Sequence, residues 1–421
     1  MRVSIVTLGT IGDVLPLCAL GVGLTNAGHR VRIATHLKYR SLVVEHGLEY
    51  APMALDPESL LSGSKGNNWL ASRNNPLRFL NGLVRVGRPA INQLTMDAYA
   101  ASKDADAVIY TPLGMVGFHV GEKLQIPTFF ASLWPITPTR NFPSVIAPAG
   151  FNLGKQFNRV SHLAAEQAFW QPWRRTFNNM RAETLDLPPL PFSGICPQMR
   201  RQQMPHLYGF SDFVVPKPED WPDWAHITGY WFPSEASVWK VPQNLEKFLE
   251  AGDPPVCVGF SSLKVPNPAA VTKTVVESLR RIKKRGVLLT GWGALQSGQH
   301  GDDMYVAETI PHDYLFKRVE VVVHPGGAGT SAACLRAGVP SVVIPSFADQ
   351  FFWANRLFDL GVTPPPIRWK DFNSECLGNW IENAVSNIDI RKSINIAQKQ
   401  VCNEDGIASA VQNIEETITA A

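Results

Sequence analysis

The sequence predicts an α/β protein of two doubly wound, Rossmann-like domains facing a cleft. Three observations carry that prediction. Short apolar, β-branched runs alternate with helical patterns along most of the chain, as parallel sheets built from βαβ units require. Glycine clusters follow strand candidates in both halves, at Gly9 and Gly12 and again at Gly326, Gly327 and Gly329. The length of 421 residues exceeds one ordinary core and suits two domains of about 200 residues each.

In chain order, residues 2–8 (RVSIVTL) form a β-branched run, Gly9 and Gly12 turn the chain, and Leu17, Leu20 and Leu24 recur at helical spacing until Gly28. HRVRIAT then returns to strand, which completes a βαβ unit. ADAVIYTP (105–112) and IPTFFAS (126–132) are two further buried strands, with the helix-like GFHVGEKLQ between them. From about Phe142 to Pro218 the pattern loosens around a long polar helix over 155–186, a segment of the kind that covers a cleft. The Pro- and Trp-rich stretch 217–242 reads as a linker and its docking surface. PPVCVGF, GVLLTGW, MYVAETI, VEVVVHP and PSVVIP, between 254 and 345, supply five strands of a second α/β domain. The tail EDGIASAVQNIEETITA places Ile407, Val411, Ile414 and Ile418 on one face of an amphipathic helix. The boundaries drawn are 1–220 for the first domain, 221–240 for the linker, 241–402 for the second domain and 403–421 for the closing helix.

Composition narrows the function. At 45% hydrophobic and 18% charged residues the chain is an ordinary globular protein. A net charge of +3 lacks the dense basic stripe of a nucleic-acid binder, and Arg280, Arg281, Lys283, Lys284 and Arg285 read as the wet end of a helix. The cysteines Cys18, Cys196, Cys257, Cys334, Cys376 and Cys402 are scattered without metal spacing and read as buried, reduced thiols. The N-terminus is broken by Asp13 and has no cleavage site for a secretory signal. No apolar run approaches the roughly 18 residues of a membrane helix, so the expectation is a cytoplasmic protein. Asp104 and Asp106 stand before an apolar strand and read as a loop end rather than a metal motif. His29, His36, His46 and His119 have no partners by spacing and read as structural or surface residues.

Chemistry concentrates at strand-to-helix turns. In VVVHPGGAGTSAACLRAGVP (321–340), a buried strand meets His324 and then Gly326, Gly327 and Gly329, with Thr330 and Ser331 opening a helix. Glycines let backbone amides approach a ligand, and a helix N-terminus favours an anion. A tight turn with Thr330 as N-cap explains the same residues. Asp13, after the first strand and ahead of Pro16, is either an N-cap or, at the carboxyl edge where doubly wound sheets bind ligands, an acceptor for a hydroxyl proton. Asp349 and Gln350 follow another strand and offer acceptors and donors for vicinal hydroxyls, or cap a helix.

GTIGDVLP, WPITPTRNFP, WAHITGYWF, IPHDYLF, HPGGAGTSAACLRAGVP and FADQFFWANRL, in this order over residues 5–361, together resemble GT-B glycosyltransferases of the sterol glucosyltransferase and glycopeptide or macrolide antibiotic type. The resemblance implies inverting transfer of a hexose from a UDP- or TDP-sugar to a hydroxyl of an apolar acceptor such as a sterol or polyketide. It implies Asp13 as general base, and His324, Gly326, Gly327, Ala328, Gly329 and Thr330 as the diphosphate grip. It implies Asp349 and Gln350 on the sugar, Ile310 and His312 near the base, and Gly12, Ser261, Ser262 and Trp292 as further donor contacts. No metal or other cofactor is implied, and the chain is expected to be a monomer or weak homodimer without stable membrane insertion. Trp134, Phe142 and Trp170, with Trp173, are candidate acceptor-pocket residues or plain core. The C-terminal helix is expected to return to the first domain. Two departures stand out: Pro325 replaces a second histidine, and Ser261 replaces a glycine. A nucleotide-sugar epimerase of the same fold, and a binding-only accessory protein, are the alternatives; the presence of both Asp13 and the Asp349–Gln350 pair weighs against the second.

Overall fold

The computed structural model describes residues 1–54, 82, 84, 87–147, 154–233, 239–261, 263 and 265–420. The chain divides into two compact units. The first is Met1–Asp212 with Pro216–Pro233 and Asp405–Ala421, and the second is Phe213–Val215 with Ser234–Glu404.

The first unit carries a parallel sheet. Its described strands are β1 (Arg2–Val6), β2 (Arg30–His36), β3 (Glu49–Met53), β4 (Ala107–Tyr110), β5 (Thr128–Ser132), β6 (His206–Tyr208) and β7 (Ala225–Ile227). Their order is β3-β2-β1-β4-β5-β6-β7, and all the pairs are parallel. β1 and β4 are buried almost throughout, as parallel strands covered on both faces must be. The second unit repeats the plan with β8 (Val256–Gly259), β9 (Gly286–Leu289), β10 (Met304–Ala307), β11 (Val321–His324) and β12 (Ser341–Val343), in the order β10-β9-β8-β11-β12. In each sheet the first strand is central and the strand order reverses beside it, between β1 and β4 and between β8 and β11. Loops leaving the carboxyl ends of those strands diverge, which opens the crevice that doubly wound sheets use for ligands.

The helix Ile11–Asn26 covers β1 with Val14, Leu17, Cys18, Leu20 and Leu24. Pro16 falls in its second turn rather than its first, and its missing N–H leaves the Gly12 carbonyl without the usual i+4 donor. The long helix Lys155–Thr184 buries Trp170, Trp173, Phe177 and Met180. Its Arg181 is buried and donates two hydrogen bonds of 2.8 Å to the Glu122 carboxylate, the bidentate pairing that makes a buried guanidinium tolerable. Part of the stretch read as linker belongs to the first sheet. Ala225–Ile227 pairs with β6, and Trp221 stacks on Tyr208 at 4.8 Å while donating its indole N–H to the Thr137 carbonyl.

The closing helix Gly406–Ala420 is part of the first unit. Val411 and Ile414 are buried, and Glu415 accepts from His29 at 2.9 Å. Gly23 marks the contact: a Cβ there would lie 2.1 Å from Ile407 Cγ2. The basic run is paired, Arg280 with Asp303, Arg281 with Glu375 and Lys284 with Glu320. Asp104 pairs with Arg2 and Arg32, and Asp106 accepts the Arg2 amide. Cys18, Cys257 and Cys334 are buried thiols, but Cys196 and Cys376 are only half-buried and Cys402 is exposed. No described helix is long and apolar enough to cross a membrane.

Ile414 is fully buried, so Ile414→Ala should cost about 2–4 kcal/mol. Glu416→Ala on the exposed face should stay within about 0.5 kcal/mol. Urea denaturation of both variants checks that the tail is part of the first unit's core.

Candidate functional site

In the first unit the candidate chemistry gathers at the carboxyl ends of β1 and β4. Asp13 is the third residue of the helix Ile11–Asn26, and its Oδ2 accepts the Thr10 amide at 2.7 Å and the Thr10 hydroxyl at 3.1 Å. This is the acidic half of a capping box. The carboxyl is half-buried by accessible area, and withdrawal from solvent raises its pKa above the ordinary 3.8, against the lowering effect of the two Thr10 bonds. Thr7 donates its hydroxyl to the Asp13 carbonyl at 3.2 Å, and the Thr111 hydroxyl reaches Thr7 at 3.4 Å, so the β1 and β4 turns are tied together.

Gly9 adopts φ 129°, and a Cβ on it would lie 2.4 Å from Asp13 Oδ2. Only glycine leaves room for the carboxylate there. The sequence reading placed Gly12 in the site; Gly12 lies exposed at the second residue of the helix, and the glycine that shapes the Asp13 turn is Gly9. His36, expected to be structural or on the surface, is buried, and its Nε2 accepts the Gly9 amide at 3.1 Å. A glycine directly after a strand, opposite a histidine ending the neighbouring strand, was the available signal.

A recess of about 10 Å³ beside Asp13 is lined by Leu17, Thr111, Leu113, Leu133 and Trp134, among others. It holds one water at most. Trp134, a candidate for the acceptor pocket or for plain core, lines this recess together with Asp13. Trp170 and Trp173 do not. Both are in the core around Phe177, and Trp170 spends its indole N–H on the Phe192 carbonyl. Phe142 packs on His162 and is not among the described lining residues.

In the second unit, β11 ends at His324 and the chain turns at Gly326, which has φ 87° and whose missing Cβ would strike Val343 and the Gln350 carbonyl. The helix Ala328–Ala337 starts after Gly327, and a Cβ on Gly327 or Gly329 would meet nothing within 4 Å. The first turn of that helix carries the unpaired amides of any helix N-terminus, the kind of group that binds anions. His324 Nδ1 accepts the Gly326 amide at 3.0 Å, so the proton is on Nε2. Burial, with a smaller push from His312, holds the pKa of His324 near 3, and the ring is neutral. Its Nε2 and the Ser331 hydroxyl are buried with no hydrogen-bond partner among the described residues, a condition that costs about 1–3 kcal/mol per group and is concentrated at sites.

Neighbouring loops are held in uncommon backbone conformations. Ser261, after β8, has φ 48°, and Ala348, after β12, has φ 52°. The Ser261 carbonyl accepts the Trp292 amide at 3.1 Å. The second helix after the turn region begins at Gln350, whose Oε1 accepts the amides of Ser346 and Phe347 at 2.9 and 3.2 Å, and Asp349 Oδ2 accepts the Trp353 indole at 3.1 Å. His312 stacks on Phe316 at 4.4 Å, and burial lowers its pKa to about 4. Ile310 is buried in the second unit's core. Ser262 lies outside the described residues. Backbone strain of this kind clusters at functional loops, and here it falls at the carboxyl edge of one sheet.

Residues 3–143 match the glycosyltransferase family 28 N-terminal domain, and residues 296–411 match the erythromycin biosynthesis protein CIII-like C-terminal domain. The chain is 35% identical over 437 residues to a sterol 3-beta-glucosyltransferase of Neosartorya fischeri, covering 98% of this chain and 29% of that protein. It is 35% identical over 423 residues to sterol 3-beta-glucosyltransferase UGT80A2 of Arabidopsis thaliana, covering 98% of this chain and 65% of that one. The chain thus spans under a third of the fungal relative and just under two thirds of the plant relative. Among solved structures, the glycotransferase of kitacinnamycin superposes with a TM-score of 0.71 at 19% identity over 99% of this chain and 98% of that one. Glycosyltransferase VinC in complex with dTDP gives 0.69 at 16% identity over the full length of both. These likenesses establish the GT-B fold.

Because Ser261 occupies a left-handed conformation that costs an L-residue about 1–2 kcal/mol, Ser261→Gly should be neutral or stabilise by up to about 1 kcal/mol. Ser261→Val should destabilise by about 1–2 kcal/mol, since β-branching tolerates positive φ least. Chemical denaturation monitored by tryptophan fluorescence distinguishes the two.

Proposed function

The chain belongs to the GT-B glycosyltransferases that join a family 28 N-terminal domain to an EryCIII-like C-terminal domain, and on that premise we propose that it transfers a hexose from a UDP- or TDP-sugar to a hydroxyl of an apolar alcohol, with inversion. The observation that carries this reading is Asp13: an acid at the β1 and β4 switch point, oriented by the Thr10 amide and hydroxyl and half withdrawn from water. A carboxylate with a raised pKa is a stronger base once ionised. Sterol alcohols are the acceptor class favoured by the relatives' names.

In the proposed reaction Asp13 takes the acceptor's hydroxyl proton as the acceptor oxygen attacks the anomeric carbon. The bond from that carbon to the diphosphate oxygen breaks, and its electron pair leaves with the diphosphate. The amides at the start of the helix Ala328–Ala337, with its dipole, stabilise the growing negative charge. His324 contributes as a neutral Nε2–H donor, not as a cation, because its pKa lies near 3. Gln350, its carbonyl oxygen held by two backbone amides, offers a carboxamide of fixed orientation to a sugar hydroxyl, beside Asp349. TDP bound to VinC supports a nucleoside diphosphate as the leaving group.

Asp13→Asn should lower kcat by about 10³-fold or more, within or beyond the range of general-base catalysis, while the dissociation constant for the nucleotide sugar changes less than about twofold. Turnover at the parental rate would overturn the assignment of the base. Since the base must be ionised and burial raises its pKa above 3.8, kcat/KM should fall as the pH drops, with a midpoint above the ordinary aspartate value. The residual activity of Asp13→Asn should lack that acid limb.

A further inference from the structure

We infer that His36 is a positioning residue for the acid at the β1 turn, acting through the backbone of Gly9. This rests on the reading of Asp13 as the base. β1 and β2 pair in register as far as Val6 opposite Ala34, and the ladder continues with the Thr7 amide donating to the Ala34 carbonyl at 3.1 Å. The next inward-facing donor of a parallel ladder is the Gly9 amide. At this point the chain bends away at φ 129°, and the amide is received by the imidazole Nε2 of His36 at 3.1 Å in place of a backbone carbonyl. His36 is the last residue of β2 and is fully buried, so the acceptor is delivered by a rigid strand. Because Nε2 accepts, the proton of the neutral ring is on Nδ1.

The following amide, of Thr10, donates to Asp13 Oδ2 at 2.7 Å. Two consecutive amides therefore have separate duties: one anchors the turn to the second strand, and the other aims the carboxylate. Gly9 also presents its α-carbon against that carboxylate, where a Cβ would come within 2.4 Å. A Gly9 peptide released from His36 regains the wide φ range of glycine, and the Thr10 amide then no longer points at one place. His36 touches no reacting atom. Its contribution is the precision of the acid, and misplacement by about 1 Å is worth on the order of 10²-fold in rate.

The test compares two variants of similar size. His36→Gln keeps a hydrogen-bond acceptor at the position of Nε2, and His36→Met fills the volume without a strong one. His36→Met should lose about 10²-fold in kcat with KM for the nucleotide sugar unchanged and a lowered melting temperature, because the buried Gly9 amide loses its acceptor, and His36→Gln should recover to within about threefold of the parent. Equal losses in the two variants, or a His36→Met enzyme of parental kcat, would overturn the inference. Asp13→Asn assayed alongside separates the two readings. If it retains turnover, the base assignment fails; if it is inactive while His36→Met is active, only the role of His36 fails.

Discussion

The reversal of strand order beside the central strand of each sheet is the constraint on which the rest depends. A parallel strand flanked by neighbours whose connections run to opposite sides leaves its carboxyl end uncovered. In the first unit that end is the Gly9 to Asp13 turn between β1 and β4. In the second the corresponding point lies between β8 and β11, where the glycine turn after His324 sits beside the Ser261 loop. The same topology is used for opposite electrostatic purposes. One turn holds a carboxylate oriented by a backbone amide, and the other leads through Gly326 and Gly327 into the N-terminus of the helix Ala328–Ala337.

The charge states follow from burial. Desolvation pushes the Asp13 carboxyl up and the imidazoles of His324 and His312 down, so in both units the environment favours the neutral form. For Asp13 in the proposed role of base this strengthens it. For the proposed anion site it means that charge would be met by oriented dipoles, which need no reorganisation as it develops. The cost is visible as positive φ at Ser261 and Ala348, and as buried polar atoms on His324 and Ser331 with no hydrogen-bond partner among the described residues.

The long elements and the glycine turns were legible in the sequence because each has a strong local cause. β1, the helix that follows it and β2 come from β-branched runs and leucine spacing, and the helix Lys155–Thr184 was bounded to within two residues at its C-terminal end. β6 and β7 were not legible, since three-residue strands among prolines and aromatics have no periodicity and are defined only by the neighbours they pair with. Trp134 and Trp170 have the same chemistry in the sequence, and only packing separates the one beside Asp13 from the one in the core. The His36–Gly9 bond could not be read from either residue alone for a related reason: it depends on the register of two strands, between residues 27 apart in the chain. The substitution at Ser261 could be seen, but its left-handed backbone could not.

The proposed function requires a base in the first unit and an anion grip in the second to serve one group-transfer reaction. The most direct measurement is analysis of the product formed from UDP-glucose or a TDP-sugar with a sterol alcohol, by mass and by the anomeric coupling constant in the proton NMR spectrum. A glycoside of the β configuration from the α-linked donor, formed with stoichiometric release of nucleoside diphosphate, is the predicted result. An α-glycoside, or an epimerised nucleotide sugar with no glycoside, would contradict it.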